Sequence, residues 1–190
     1  MGKKIPTLGC CGINCGLCPR FYTEGSSRCP GCCGEDFEKK HPSCSFTTCC
    51  VKKKSLEVCG ECDDFPCPKF DKETGEFDSF VTHRRVIQNQ NYIKESGFAV
   101  FIEQQSKRMN LLQAMLECYD DGSSKSFYCL AATLLSVKSL NESLLKADKE
   151  INEKSVGKDD LKSRAKILKE ILNKFAGEEN EELRLRKAKK

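Results

Sequence analysis

The sequence predicts a small metal-stapled, cysteine-rich N-terminal domain of zinc-knuckle or ribbon-like type, followed by an all-α helical bundle. Three observations predict it. Thirteen of the 15 cysteines lie between Cys10 and Cys67. All six prolines lie at or before Pro68. Beyond that point apolar residues recur at three- and four-residue spacing, the period of an amphipathic helix. The boundaries follow: a metal-binding domain over 1–70, a helical domain of about five helices over 71–177, and a polar, frayed tail over 178–190.

The first segment has few large apolar residues. Phe21, Tyr22, Phe37, Phe46, Leu56, Val58 and Phe65 do not make an ordinary core. A fold this poor in core needs a staple, and bound metal supplies one. Turns, short strands and one short helix are expected here. Three C-x-x-C pairs provide the ligands: Cys15/Cys18, Cys29/Cys32 and Cys59/Cys62. A C-x-x-C turn places two thiolates on one metal, and the Gly and Pro residues clustered at these cysteines help shape such turns. CPGCCG at 29–34 reads as a zinc knuckle. One such pair would be weak evidence, whereas three with further cysteines between them point firmly to metal.

The candidate ligands are Cys11, Cys15, Cys18, Cys29, Cys32, Cys44, Cys50, Cys59, Cys62 and Cys67. Zinc takes four in a closed tetrahedral site, so these serve about two zinc ions per chain. The working arrangement joins Cys15/Cys18 to Cys29/Cys32, and Cys44/Cys50 to Cys59/Cys62. Cys11 and Cys67 are alternates or share a site, and a cross-braced order is an open alternative. In the doublets Cys10-Cys11, Cys32-Cys33 and Cys49-Cys50, one thiol each is spare, because adjacent residues rarely face one metal. His41 is a possible nitrogen ligand and His83 a surface residue. Lys52, Lys53 and Lys54 either offset thiolate charge or form a solvated run.

The helices follow in order. Asp78 or Ser79 caps a helix that runs to about Ser96, with Gly97 beyond its end. Phe98, Phe101, Ile102, Met109, Leu112, Leu116 and Tyr119 form the stripe of the next. Asp120-Asp121-Gly122 breaks it, and Ser123 or Ser124 caps a third, with Phe127, Leu130, Ala131, Leu134 and Val137. A fourth starts near Ser139 and carries Leu140, Leu144, Leu145 and Ile151. Asp159 or Asp160 caps a fifth, with Leu161, Ala165, Leu168, Ile171, Leu172 and Phe175, closed by Gly177. Cys118 and Cys129 fall among these stripes as small buried hydrophobes.

The formal net charge is only +4, and residues 1–67 carry 9 Lys/Arg against 8 Asp/Glu. That is not the strong basic field of an obligate nucleic-acid binder, so nucleic acid is possible but not indicated by charge. No signal peptide or membrane-length apolar run is visible, which places the chain in the cytoplasm. In a reducing compartment an odd, dense set of cysteines indicates metal rather than disulfides.

No catalytic constellation stands out. There is no phosphate-binding glycine loop, no H-E-x-x-H and no Ser-His-Asp set with its motif. Asp63-Asp64 and Asp120-Asp121 read as turn and cap residues. Cys11, Cys15 and Cys18 spell CxxxCxxC, the cluster spacing of radical S-adenosylmethionine enzymes. The chain lacks the strand–helix alternation of their barrel, and ten other clustered cysteines would be left without a role. An iron–sulfur cluster without radical chemistry is the alternative cofactor, suggested by the Cys18-Pro19, Cys29-Pro30 and Cys67-Pro68 steps.

CGINCGLCP at 11–19, CPGC at 29–32, Cys44 with Cys49 or Cys50, and CGECDDFPC at 59–67 together resemble a cysteine-rich, zinc-finger-like prokaryotic family, the domain of unknown function three-seven-nine-five. The segment 86–108 is similar to the family's following region, and the resemblance spans roughly residues 10 to 110. It implies zinc and names no activity. Cys10, Cys33 and one of Cys49/Cys50 depart from the family pattern. The expected function is a non-enzymatic zinc-binding module for protein or nucleic-acid interaction. The alternatives are an iron–sulfur protein in electron transfer or redox sensing, and a metal-trafficking or thiol redox sensor.

Overall fold

The computed structural model describes residues 3–41, 43–73 and 77–187. Among them there are helices and turns and no strand. The chain divides into two compact units, Met1–Glu103 with Leu185–Lys190, and Gln104–Arg184. The boundary read near residue 70 from composition therefore lies inside the first unit.

The cysteine-rich segment folds without the short strands expected of it. It is built of 3₁₀ turns at Cys15–Leu17, Pro19–Tyr22, Gly25–Ser27 and Cys59–Glu61, a short helix α1 (Phe37–Lys40) and a π-helical turn over Thr47–Lys53. The cause is local. The C-x-x-C turns at Cys15–Cys18 and Cys59–Cys62 each close on themselves by an i→i+3 bond, and Gly and Pro interrupt the chain too often for a ladder to propagate. Helix α2 (Lys69–Glu73) follows, then α3 (Val86–Ser96), α4 (Phe98–Tyr119), α5 (Lys125–Leu134), α6 (Val137–Glu153) and α7 (Leu161–Glu178).

Two apolar clusters hold the first unit. One gathers Phe46, Val51, Phe65, Phe70 and Val86 around the buried Cys10, Cys32 and Cys50. The other packs Leu8 and Val58 against Ile93 and Phe101. Both recruit residues beyond 80, which is why the unit extends past the cysteines.

α3 starts at Val86, not near Ser79. The Asp78 carboxylate serves a turn instead: it accepts from the Thr82 hydroxyl at 3.2 Å and the His83 amide at 2.9 Å. It also receives the Arg186 amide and guanidinium, each at 2.9 Å, while the Asp78 amide donates to the Arg186 carbonyl. Burial would raise this carboxyl, but the Arg186 and His83 bonds outweigh it and hold the group at about 2. The tail expected to fray is thus pinned at Arg186, and its last three residues lie outside the described set.

Beyond α2 the five expected helices are present, α3 to α7, with shifted faces; α5 to α7 and most of α4 belong to the second unit. α6 packs along α7 through Ser139, Leu140, Ser143, Ala147 and Ile151. Leu145 lies off this buried face and is 62% exposed rather than in the stripe. On α4 the inward face is Phe101, Gln105, Leu112, Met115 and Tyr119. Cys118 therefore points out and is exposed, against expectation, while Cys129 is buried as expected. Ser136, rather than Ser139, caps α6, and Asp160 caps α7. Asp120 and Asp121 accept from the amides and hydroxyls of residues 122–124, the turn role expected of them.

Candidate metal centre

The first and third C-x-x-C pairs adopt one conformation. The Cys18 amide donates to the Cys15 carbonyl at 3.2 Å, and the Cys62 amide to that of Cys59 at 3.0 Å. Cys18 has φ −85° and ψ 136°, and Cys62 has φ −86° and ψ 134°. Each turn then receives the amide of a phenylalanine: Phe21 on Cys18 at 2.9 Å and Phe65 on Cys62 at 3.0 Å. The repeat C-G-x-C-x-x-F at 15–21 and 59–65 encodes this, and it was legible in the sequence. The second pair is shaped differently. Gly31 takes φ +85°, and the Cys32 amide donates to the Pro6 carbonyl at 2.8 Å.

Helix α3 clamps these loops with neutral amides. Gln90 is 0% exposed; its Nε2 donates to the Cys10 carbonyl at 2.9 Å and its Oε1 accepts from the Gly60 amide. Asn89 donates to the Gly12 carbonyl at 2.8 Å. The Cys10 carbonyl also takes the Cys59 amide at 2.8 Å, which ties the first and third cysteine loops together. Sequence reasoning missed this clamp. The uncharged run QNQN at 88–91 was its signal, since neutral amides in a charge-rich chain suit buried polar contacts. Gln90→Leu should orphan the buried Gly60 amide and cost about 1–3 kcal/mol, read as a lower unfolding midpoint.

The thiols fall into two sets. Cys15 lies within charge range of Cys18, Cys29 and Cys32, and Cys18 of Cys29. Cys11 sits beside this set, near Cys15 and Cys32. In the second set Cys49, Cys50, Cys59, Cys62 and Cys67 line one small cavity of about 30 Å³ with Phe46, Phe65 and Phe70. Cys44 does not join them. It lines a separate, larger cavity with Cys33 and His41, and it interacts with Cys11. Cys67, left as an alternate by the sequence, takes its place. Cys10 is buried between the sets and interacts with both Cys32 and Cys50.

Several cations attend the sulfurs, Arg20 beside Cys18 among them. The Lys3 side chain is 0% exposed and pairs with Glu57. Its charge reaches Cys32, Cys33 and Cys50. Lys54 places its ammonium 3.0 Å from the Cys62 sulfur and pairs with Asp64. Of the run 52–54, Lys54 makes direct contact with a sulfur, while Lys52 pairs with Glu38 and its charge reaches Cys33.

Among the described residues, no three or more His, Cys, Asp or Glu side chains converge closely enough to hold a metal ion. The donor set itself suits a soft or borderline ion: sulfurs in C-x-x-C turns, buried, with ammonium groups nearby. Ligation would require the sulfurs of each set to draw in as their protons leave. Those protons are firmly held. Burial, then the neighbouring thiols, pushes Cys15 up, and burial and Cys32 raise Cys33 to about 11. For Cys50 a bond from Cys10 favours the thiolate, but a bond with Cys59 and burial outweigh it and raise the group to about 12.

The sign of the pH dependence follows. Raised thiol values mean that unfolded thiols ionise first as pH rises. Metal-free protein should therefore be most stable below the ordinary thiol value of 9.0 and lose stability up to about 12. Metal-loaded protein should behave oppositely between acid and neutral pH, because metal and proton compete for the same sulfurs. Denaturant titrations of reduced protein, with chelator and with metal, check both signs.

No family model matches the chain, and neither a curated protein nor a solved structure matches it. No helix among the described residues is long and apolar enough to cross a membrane.

Proposed function

We propose that this chain is a non-enzymatic zinc-binding protein whose N-terminal unit carries about two zinc ions in all-thiolate sites and serves as an interaction module in the cytoplasm. The carrying observation is the sorting of the cysteines: Cys15, Cys18, Cys29 and Cys32 in one set, and Cys59, Cys62 and Cys67 with Cys49 or Cys50 in the other.

A closed four-thiolate zinc offers no open position to a substrate, so its contribution is structural. The apolar content of the first unit is small, and metal would supply the missing stability. Each tetrathiolate site would carry about −2, which Lys3 and Lys54 are placed to offset. The module then presents its surface to a partner. The near-balanced charge favours a protein over nucleic acid.

X-ray absorption at the zinc and iron edges, on full-length protein purified without oxygen, tests this. Four sulfurs around zinc at about 2.3 Å are expected. An iron edge with short iron–iron scattering would replace the zinc reading with an iron–sulfur protein.

A further inference from the structure

One face of the first unit gathers cations that meet no carboxylate. Arg20 is exposed and sets its guanidinium over the Phe80 ring, 5.4 Å from the centroid. Arg28 lies likewise over Phe21 at 5.3 Å, and its Nε donates to the Phe21 carbonyl at 3.0 Å. The Lys40 ammonium donates to the Arg28 carbonyl at 3.1 Å. These contacts join Phe80, Arg20, Phe21, Arg28 and Lys40 into one surface. Elsewhere in the unit Lys39, Lys52 and Lys54 pair with Asp36, Glu38 and Asp64. Arg20, Arg28 and Lys40 form no ion pair among the described residues. Glu24 is the one acid in the loop between the two arginines, so cations outnumber anions there.

The same face exposes apolar rings. Phe80 is 48% and Phe77 53% exposed. The segment that carries them is tied down, because the buried Asp78 between them is bonded to Thr82, His83 and Arg186. The arginine loop is closed as well. Cys18 and Cys29 of the first thiolate set bracket it, and the Cys29 amide donates to the Arg20 carbonyl at 2.9 Å. Side chains held in advance lose less freedom on binding.

The chemistry selects the occupant. A guanidinium offers N–H donors in a planar fork that fits a carboxylate. An arginine already occupies a face of Phe21 and of Phe80, which leaves less open ring for stacking bases. An excess of a few charges is also short of the basic field that nucleic acid calls for. The exposed Phe77 and Phe80 suit apolar side chains set among the carboxylates.

We propose that this face binds an extended acidic segment of another protein, with its carboxylates on Arg20, Arg28 and Lys40 and its apolar side chains on Phe77 and Phe80. The inference rests on the interaction-module reading above and names the chemistry of the partner.

The test is fluorescence anisotropy of a labelled peptide of alternating Glu and Phe or Leu residues, titrated with the zinc-loaded full chain. Binding that weakens as salt rises is expected. Replacing the peptide's Glu residues by Lys, or its Phe and Leu residues by Ser, should weaken it. Arg20→Gln and Phe80→Ser should each weaken binding at least about threefold at unchanged zinc content. Lys149→Gln, at an exposed residue of the other unit, should leave it unaltered. No binding of the Glu-containing peptide, or binding unaltered in both Arg20→Gln and Phe80→Ser, overturns the proposal. Tighter binding of a single-stranded oligouridine, weakened by the same two variants, overturns it too and makes the face a nucleic-acid surface. Should one variant lose zinc, the other decides. Failure of the peptide to bind a chain that holds its zinc leaves the zinc reading standing. A chain purified without zinc defeats that reading instead, and the peptide titration of the same chain still decides this face.

Discussion

Stripping metal from the loaded protein should leave the first unit only marginally folded, while α5 to α7 keep their full stability. The first unit's apolar clusters are small and have cysteines at their centre, with Cys10, Cys32 and Cys50 among the buried residues of one of them. Without metal those sulfurs are bare thiols that supply no cross-links. Structural zinc sites of this class contribute on the order of 10–16 kcal/mol of apparent binding free energy at neutral pH. That is comparable to the whole stability of a domain. The second unit has no such dependence. Its core is conventional, with Leu112, Met115, Leu134, Leu140, Leu168 and Leu172 fully buried. Hydrogen exchange before and after a strong chelator reads the two units separately. Residues 3–103 should lose protection, and residues 125–178 should keep it. Equal protection in both states would mean that metal is not what holds the first unit.

Gly31→Ala should destabilise the first unit by about 2–5 kcal/mol and cost the chain one metal. Two effects add. Gly31 sits at φ +85°, where a side chain is strained. A Cβ there would also lie 2.3 Å from the Pro6 carbonyl oxygen, a backbone atom with little freedom to yield. The same Pro6 carbonyl accepts the Cys32 amide, so displacing it moves a candidate ligand. The measurement is metal per chain together with the unfolding midpoint. Gly122→Ala is the control: its φ is +85° too, yet no atom lies within 4 Å of the added Cβ. It should lose a smaller amount of stability and no metal. Wild-type metal content in Gly31→Ala would show that the second C-x-x-C turn is not a ligand pair.

The helical half was legible because period and caps agree in it. Gly97, Asp160 and the Asp120-Asp121 turn fall where the sequence places them. Leu145 and Cys118 were misplaced because a three- or four-residue period fits more than one face. The buried face of α6 includes Ser139, Ser143 and Ala147, which an apolar count overlooks. The cysteine half was legible as chemistry and less so as geometry. C-x-x-C spacing identifies pairs, but which pairs meet is set by contacts far apart in sequence. The Gln90 clamp spans 80 residues to Cys10. Cys67 joins the second set through packing of Phe65 and Phe70, and Cys44 leaves it for the cavity beside α1. Lys3 was unreadable as a partner of the sulfurs, because burial of a terminal lysine leaves no pattern in the sequence. The division of the chain into units departs from the change in composition for a related reason. Composition changes at Pro68, but the fold of the first unit closes only when α3 covers the cysteine loops.

The most direct test of the central claim is elemental analysis with an absorption spectrum, on full-length protein expressed and purified without oxygen. About two zinc ions per chain and no visible absorption are expected from four-thiolate coordination. Less than one zinc per chain, or iron and sulfide with a brown colour, would contradict it.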